Sequence, residues 1–268
     1  MAVILDYLWL EVELDDDPRL VSLLQNSSTS SLPVRERLRI TVGKAPDGET
    51  VDIDGDSQPV SGTIQLSEIA YGAVHDRVAR WARDEGWIRI HAGLADVDGR
   101  RVMIAGPSGV GKTTTIVALA DQGATVLGDE AVLVRNGQAI ALPRPLHAKH
   151  GGRGIEGLRQ AAVLTTLPYD DPIAILDPAA INRIPQLEHR PAPLDLIVLL
   201  ERSDGERPRV IPASTAEAII ALAPDAGPFT SDRVELVRTV IDLVESAPVV
   251  RLLMTTPAET ARALRAIP

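Results

Sequence analysis

Apolar positions change period along the chain, and each change marks an element. Residues 1–14 are apolar and near-alternating, consistent with a strand, until Asp15-Asp16-Asp17-Pro18 interrupts the pattern. Residues 26–31 are a run of asparagine, serine and threonine that reads as a mobile polar loop. Alternation returns in Leu38-Arg39-Ile40-Thr41-Val42 and Thr50-Val51-Asp52-Ile53, on either side of a Pro46-Asp47-Gly48 turn. Over 64–87 the period lengthens: Ile69, Ala73, Val74, Val78 and Trp81 form one stripe of a helix that ends near Gly86. Residues 1–87 thus read as a small β-rich module closed by a helix, and 88–268 as a second, larger domain.

That second domain opens with strand patterns at 88–90 and 92–97 and a tight Asp98-Gly99 turn into Arg101-Val102-Met103-Ile104-Ala105, a short buried strand. Residues 113–122 carry Ile116, Val117, Leu119 and Ala120 at helical spacing; Gly123 ends that helix, and 124–127 form the next strand, closing in Gly128-Asp129-Glu130. A hairpin follows around Asn136-Gly137. Residues 194–200 are the best central strand of the C-terminal half, Ser214 and Glu217 make a capping box for a helix, and 231–246, 249–254 and 257–266 read as helix, strand and helix.

Between the strand at 101–105 and the helix that follows stand Gly106, Pro107, Ser108, Gly109, Val110, Gly111, Lys112 and Thr113, with Thr114 next. They fit G-x-x-x-x-G-K-[ST], in which glycines let backbone N–H groups turn inward around phosphate oxygens, the lysine reaches the β- and γ-phosphates and the hydroxyl holds Mg2+. The helix N-terminus adds its partial positive charge. Lysine and threonine gain nothing at those places in an ordinary strand-to-helix turn, so nucleotide binding is the expected work of this stretch.

Two carboxylates, Asp129 and Glu130, stand one helix length beyond the loop, at a strand end. The later strand at 196–200 runs into Glu201-Arg202 and lacks the magnesium-binding aspartate that motor-like and signalling NTPases carry there; no arginine-finger motif stands out. Residues 143–154 are basic and glycine-rich, a pattern that suits a moving lid or a disordered surface loop equally.

Composition narrows the partners. A net charge of −10, from 27 basic and 37 acidic residues, disfavours nucleic acid. With no cysteine, disulfides, a thiolate nucleophile and cysteine-ligated zinc are excluded. No basic leader opens the chain and no apolar run approaches the roughly 20 residues of a membrane span, so no membrane is expected and the cytoplasm is the expected compartment. The acidic runs at 15–17 and 52–56 read as turns, since no glutamate closes a calcium loop.

Ile90-His91-Ala92-Gly93, then Asp96-Val97, then the loop of 106–113, then Gly123-Ala124-Thr125-Val126-Leu127-Gly128-Asp129-Glu130 together resemble the core of the HPr kinase/phosphorylase family. Its relatives include the HPr-kinase-like enzymes of lasso-peptide biosynthesis, which phosphorylate a serine of the precursor peptide. The close match spans residues 88–135. It implies an α/β fold, a P-loop kinase core with a mixed sheet similar to HPr kinase and phosphoenolpyruvate carboxykinase, here preceded by the small β-rich N-terminal module. It also implies roles: Asp129 as general base for the acceptor hydroxyl with His91 beside it, Lys112 on the β- and γ-phosphates, and Thr113 on Mg2+. Glu130, where family members commonly have aspartate, would help hold Mg2+ or orient Asp129. Lys149 and Arg153 are candidate lid cations for the transferring phosphate, and Glu156 is a candidate further magnesium ligand. A peptide or protein phosphoacceptor is the implied partner, and a homo-oligomer is compatible.

Two departures bear on HPr as acceptor, phosphorolysis as back-reaction and the family's hexamer. The N-terminal region differs from that of the enzymes that modify HPr, and the L-E-I-R-G signature is only echoed, in Gly152-Arg153-Gly154-Ile155-Glu156-Gly157. The expected function is an ATP- and Mg2+-dependent kinase that phosphorylates a hydroxyl, in the first place a serine of a peptide or protein. A small-molecule kinase, a nucleotide-binding regulatory or scaffold protein without transfer, and a plain NTPase share the motif.

Overall fold

The structure is a computed structural model in which residues 2–25, 27–149, 163–167, 173–227 and 233–268 are described. They fall into two units, the first drawn from within 1–81, 143–151 and 162–190, the second from within 82–142, 152–161 and 191–268.

In the first unit β1 (Val3–Tyr7) and β2 (Leu10–Leu14) form an antiparallel hairpin where the near-alternating apolar pattern suggests one strand; Leu8, at a φ of 62°, turns the chain back. The acidic run then starts a helix. Asp17 caps α1 (Pro18–Leu24), accepting from the N–H groups of Arg19 and Leu20, with proline in the first turn. The expected mobile loop instead contains a short strand, β3 (Ser28–Ser30), whose Ser28 is buried. β4 (Glu36–Ala45), β5 (Gly48–Ile53) and β6 (Asp56–Val60) complete a five-stranded sheet ordered β1-β2-β4-β5-β6, antiparallel except between β2 and β4. α2 (Gly62–Asp84) buries Leu66, Ala70, Val74 and Val78 at four-residue steps. Its Arg77 and Trp81 both donate to the Glu36 carboxylate of β4, at 2.8 and 2.9 Å, so Trp81 serves the face of the sheet by a hydrogen bond and not as a core residue.

The second unit begins with β7 (Ile88–Ile90), β8 (Ala92–Val97), β9 (Arg100–Ala105), α3 (Lys112–Asp121), β10 (Thr125–Gly128), β11 (Val132–Arg135) and β12 (Gln138–Ala141). The chain then returns to the first unit for β13 (Leu146–Lys149), β14 (Val163–Leu167), β15 (Ile173–Leu176), α4 (Pro178–Ile181) and β16 (Leu187–His189). A single boundary at 87 therefore does not describe the division. The reason is long-range: β16 pairs in parallel with β3, Ser27 donates to the Asp177 carboxylate at 2.8 Å, and buried His189 meets Ser28 at 3.2 Å. Such partners leave no local trace in the chain.

β17 (Ala192–Pro193), β18 (Leu196–Arg202), β19 (Arg209–Pro212), α5 (Thr215–Leu222), β20 (Ala226–Gly227), α6 (Arg233–Ser246), β21 (Val249–Met254) and α7 (Pro257–Arg265) finish the second unit. Its main sheet is mixed, ordered β10-β8-β9-β18-β21-β19, with β9, β18 and β21 parallel and the other pairings antiparallel. The parallel centre is covered on both faces: Val102, Met103, Ile104, Ile197, Val198, Leu200 and Leu252 are fully buried, which is why these strands read as continuous apolar runs. A second sheet, β17-β12-β11-β7-β20, takes β7 away from β8, and the chain crosses from one sheet to the other at His91. Among the described residues no helix is long and apolar enough to cross a membrane.

Candidate nucleotide site

β9, buried from Arg101 onward, delivers the chain to Gly106 at the C-terminal edge of the parallel strands. Gly106 takes a φ of 150°, and a Cβ there would stand 2.7 Å from the Leu200 carbonyl oxygen of β18. Only glycine allows this exit. The loop runs through exposed Pro107, Ser108 and Gly109 and buried Val110 to Gly111, the residue before α3. Lys112, buried at the start of that helix, donates from Nζ to the carbonyl oxygens of Gly106 at 2.6 Å and Pro107 at 3.3 Å. Thr114 donates from Oγ1 to the Gly111 carbonyl at 2.8 Å.

β10 runs antiparallel to β8 and ends beside the first turn of α3. There Asp129, 2% exposed, accepts the Thr113 hydroxyl at Oδ2 and the Glu130 N–H at Oδ1, the latter at 2.9 Å. Space for this carboxylate comes from Gly93 on β8. A Cβ at that position would lie 3.3 Å from Asp129 Oδ1 and 2.7 Å from Ile116 Cγ1. Burial pushes the Asp129 carboxyl above the ordinary aspartate range, with the neighbouring Glu130 charge adding to the rise and the Thr113 hydrogen bond opposing it.

Glu130 sits in the left-handed region at a φ of 67°, with its carbonyl accepting from Arg89 Nη2 at 3.1 Å. His91 is half-buried; burial first, then the Lys112 charge, holds its imidazole below the ordinary histidine range, while Glu130 pulls the other way. The imidazole is therefore neutral at pH 7.

The loop of 106–114, Lys112, Thr113, Asp129, Glu130 and His91 thus lie in one unit, with Asp129 bonded to Thr113 and His91 within the fields of Lys112, Glu130 and Asp129. Lys149 is the last residue of β13 in the first unit, and the expected lid of Lys149, Arg153 and Glu156 falls outside the described residues apart from that backbone position. One functional-looking side chain escaped the sequence reading. Arg202, at the end of β18, donates from Nη2 to the Gly109 carbonyl of the loop at 2.6 Å. Its signal is position, the last residue of the strand beside β9.

Among the described residues no group of three or more His, Cys, Asp or Glu side chains converges as a metal site. A Mg2+ ion here would take part of its oxygen shell from Thr113 and an adjacent carboxylate and the rest from phosphate and water, which is that ion's usual habit.

No protein-family model matches the chain, and no curated protein does. Among solved structures, the Hpr(Ser) kinase/phosphatase from Coxiella burnetii is similar to it at 15% sequence identity and a TM-score of 0.35, over 66% of this chain and 93% of that one. The site stands on its own geometry.

Proposed function

We propose that the protein is an ATP- and Mg2+-dependent phosphotransferase of HPr-kinase-like type, working in the cytoplasm, that moves the γ-phosphoryl group to a hydroxyl. The acceptor is in the first place a serine of a peptide or protein such as a biosynthetic precursor peptide. What carries the reading is the hydrogen bond from Thr113 to Asp129, which sets a carboxylate against the first turn of the helix entered from the glycine loop. Gripping phosphate alone needs no carboxylate there, and burying one is costly.

Loop N–H groups of 106–114 and Lys112 would hold the phosphates, and Thr113 with Glu130 would hold Mg2+. When bound, the ion neutralises charge on the β- and γ-oxygens. Asp129 takes the proton of the acceptor hydroxyl. That oxygen forms its new bond to the γ-phosphorus as the bond to the β,γ-bridging oxygen breaks; ADP leaves with the electron pair, and Asp129 passes its proton to solvent. A carboxyl lifted above its ordinary pKa is a stronger base for this step. Neutral His91 adds no positive charge that would pull it back down.

One observation favours a second reading. At 2% exposure Asp129 presents little surface to an incoming acceptor, as suits a nucleotide-binding regulatory protein without transfer. ATP labelled on its γ-phosphate, incubated with serine-containing peptides, proteins and small alcohols, separates the two. Label on a serine that disappears with Lys112→Ala supports the kinase. ADP without labelled acceptor makes the protein an NTPase, and bound ATP without turnover makes it a sensor.

A further inference from the structure

Arg202 is an exposed cation that the transfer chemistry, so far, leaves idle. It is the last residue of β18, the parallel neighbour of β9 with Leu199 opposite Ala105, so β18 runs three residues past the end of β9, alongside the loop that rises from it. Ligands of open α/β sheets bind at this carboxyl edge. Its guanidinium rests on the Gly109 carbonyl at 2.6 Å, and among the described residues no carboxylate pairs with it. Neighbouring arginines do otherwise: Arg251 holds Glu201 at 2.7 and 2.9 Å, and Arg101 and Arg265 hold Asp96 and Asp98.

Lys112 supplies the parallel. Its ammonium rests on the Gly106 and Pro107 carbonyls, so two cations from different elements both lie on the backbone oxygens of one loop, at 106, 107 and 109. A phosphate oxygen is a stronger partner for either cation than a neutral carbonyl, and a guanidinium stays charged at any working pH and binds phosphate through two N–H groups at once.

We propose that Arg202 is a catalytic residue supplied in cis, which exchanges the Gly109 carbonyl for the terminal phosphate of bound ATP and neutralises charge on the transferring group. The inference rests on the phosphotransferase reading of the same loop. It requires that Arg202 distinguish ATP from ADP, because only ATP carries the phosphate it meets.

The test titrates the full chain and its Arg202→Ala and Arg202→Lys variants with fluorescent ATP and ADP analogues, beside thermal unfolding and turnover. For Arg202→Ala, ATP affinity falls about tenfold or more, ADP affinity stays within about twofold, and turnover falls about 10³-fold or more, with lysine restoring part of the ATP affinity. Equal losses for ATP and ADP would mean that Arg202 only braces the loop, and no loss would mean that it does nothing there; either result overturns the proposal. If wild type transfers phosphate while Arg202→Ala shows no ATP/ADP split, this inference fails and the kinase reading stands. If the split is present but no acceptor is phosphorylated, the γ-phosphate contact stands and the kinase reading fails. A wild type that binds neither nucleotide overturns both. Should Arg202→Ala not fold, Arg202→Gln reads the same split.

Discussion

Thr113 and Asp129, 16 positions apart, are joined by a hydrogen bond from the threonine hydroxyl to the aspartate carboxylate. Thr113 stands in the first turn of α3, the rest of that helix separates the two in sequence, and β10 brings Asp129 back to that turn. The pair holds together the hydroxyl that the loop motif assigns to Mg2+ and the carboxylate proposed above as the base. Stability and chemistry therefore meet in one side chain, Asp129, and substitutions there should move them in opposite directions.

Replacing Asp129 by Asn should raise stability and slow transfer. The folded pKa of Asp129 lies above the unfolded one, so its contribution to stability is whole below about pH 3.9 and is lost as pH rises through the folded value. Above about pH 3.9 the burial of this carboxyl therefore counts against the native state. Asparagine is neutral and keeps both partners, its carbonyl accepting from Glu130 N–H and its amide facing the Thr113 oxygen. An increase of about 2–4 °C in Tm, for a gain of about 1 kcal/mol, should accompany a fall in transfer of about 10²–10⁴-fold. A calorimetric scan in which Asn lowers Tm would show that Thr113 and the Glu130 amide already compensate the charge.

His91 carries the opposite sign. Its folded pKa lies below the unfolded one, so its contribution is whole above about pH 6.5 and is lost as pH falls from there through the folded value, because the unfolded chain takes up the proton first. His91→Gln removes that proton uptake. The urea midpoint followed from about pH 8 down to about pH 5 should decline less steeply for the variant than for wild type. Parallel curves would place the acid sensitivity elsewhere.

How far these groups could be read from the chain depended on distance along it. The strand at 101–105, the loop and its helix, and the turns at Asp98-Gly99 and Asn136-Gly137 are local, and the structure keeps them, with Asp98 and Asn136 at φ of 52° and 50°. The capping box of Ser214 and Glu217 is local too and is present. The passage of β7 and β8 into different sheets is not local: Ile90 pairs with Val132 and Ala92 with Ala105, and neither choice is written near His91. β6 was invisible because its first four residues are exposed and show no alternation. Arg202 carries no motif of its own: one arginine at a strand end has no spacing by which a sequence can mark it.

Gly93 makes room for both Asp129 and α3, and alanine should not fit. An added methyl would lie 2.7 and 2.8 Å from two carbons of the fully buried Ile116 side chain, well inside ordinary contact at about 3.5–4.0 Å. Overpacking of this kind costs about 1–3 kcal/mol. Because Ile116 is the obstacle, Ile116→Val, which removes one of those carbons, should return part of the loss when combined with Gly93→Ala. Urea unfolding of the two single variants and the double variant checks it. Strictly additive losses would mean that the helix shifts away from β8 without resistance from Ile116.

Glu130 holds a side chain and a backbone role that can be separated. A glutamate at a φ of 67° is in the left-handed region, which costs a residue with a Cβ roughly 1–2 kcal/mol relative to the right-handed one and glycine far less. Glu130→Gly relieves that strain but frees the unfolded backbone, so the net change in stability should be a gain of under about 1 kcal/mol. Both Glu130→Gly and Glu130→Gln discard the carboxylate, and only the first relaxes the backbone. If the carboxylate serves Mg2+, both variants need more of the ion for half-maximal turnover, and Glu130→Asp, with an acid retained, needs less than either. If Glu130 serves only to turn the chain and offer its N–H to Asp129, the magnesium titrations of Glu130→Gln and wild type coincide. Turnover measured against Mg2+ concentration across the three variants, beside their unfolding midpoints, tells metal holding from chain turning.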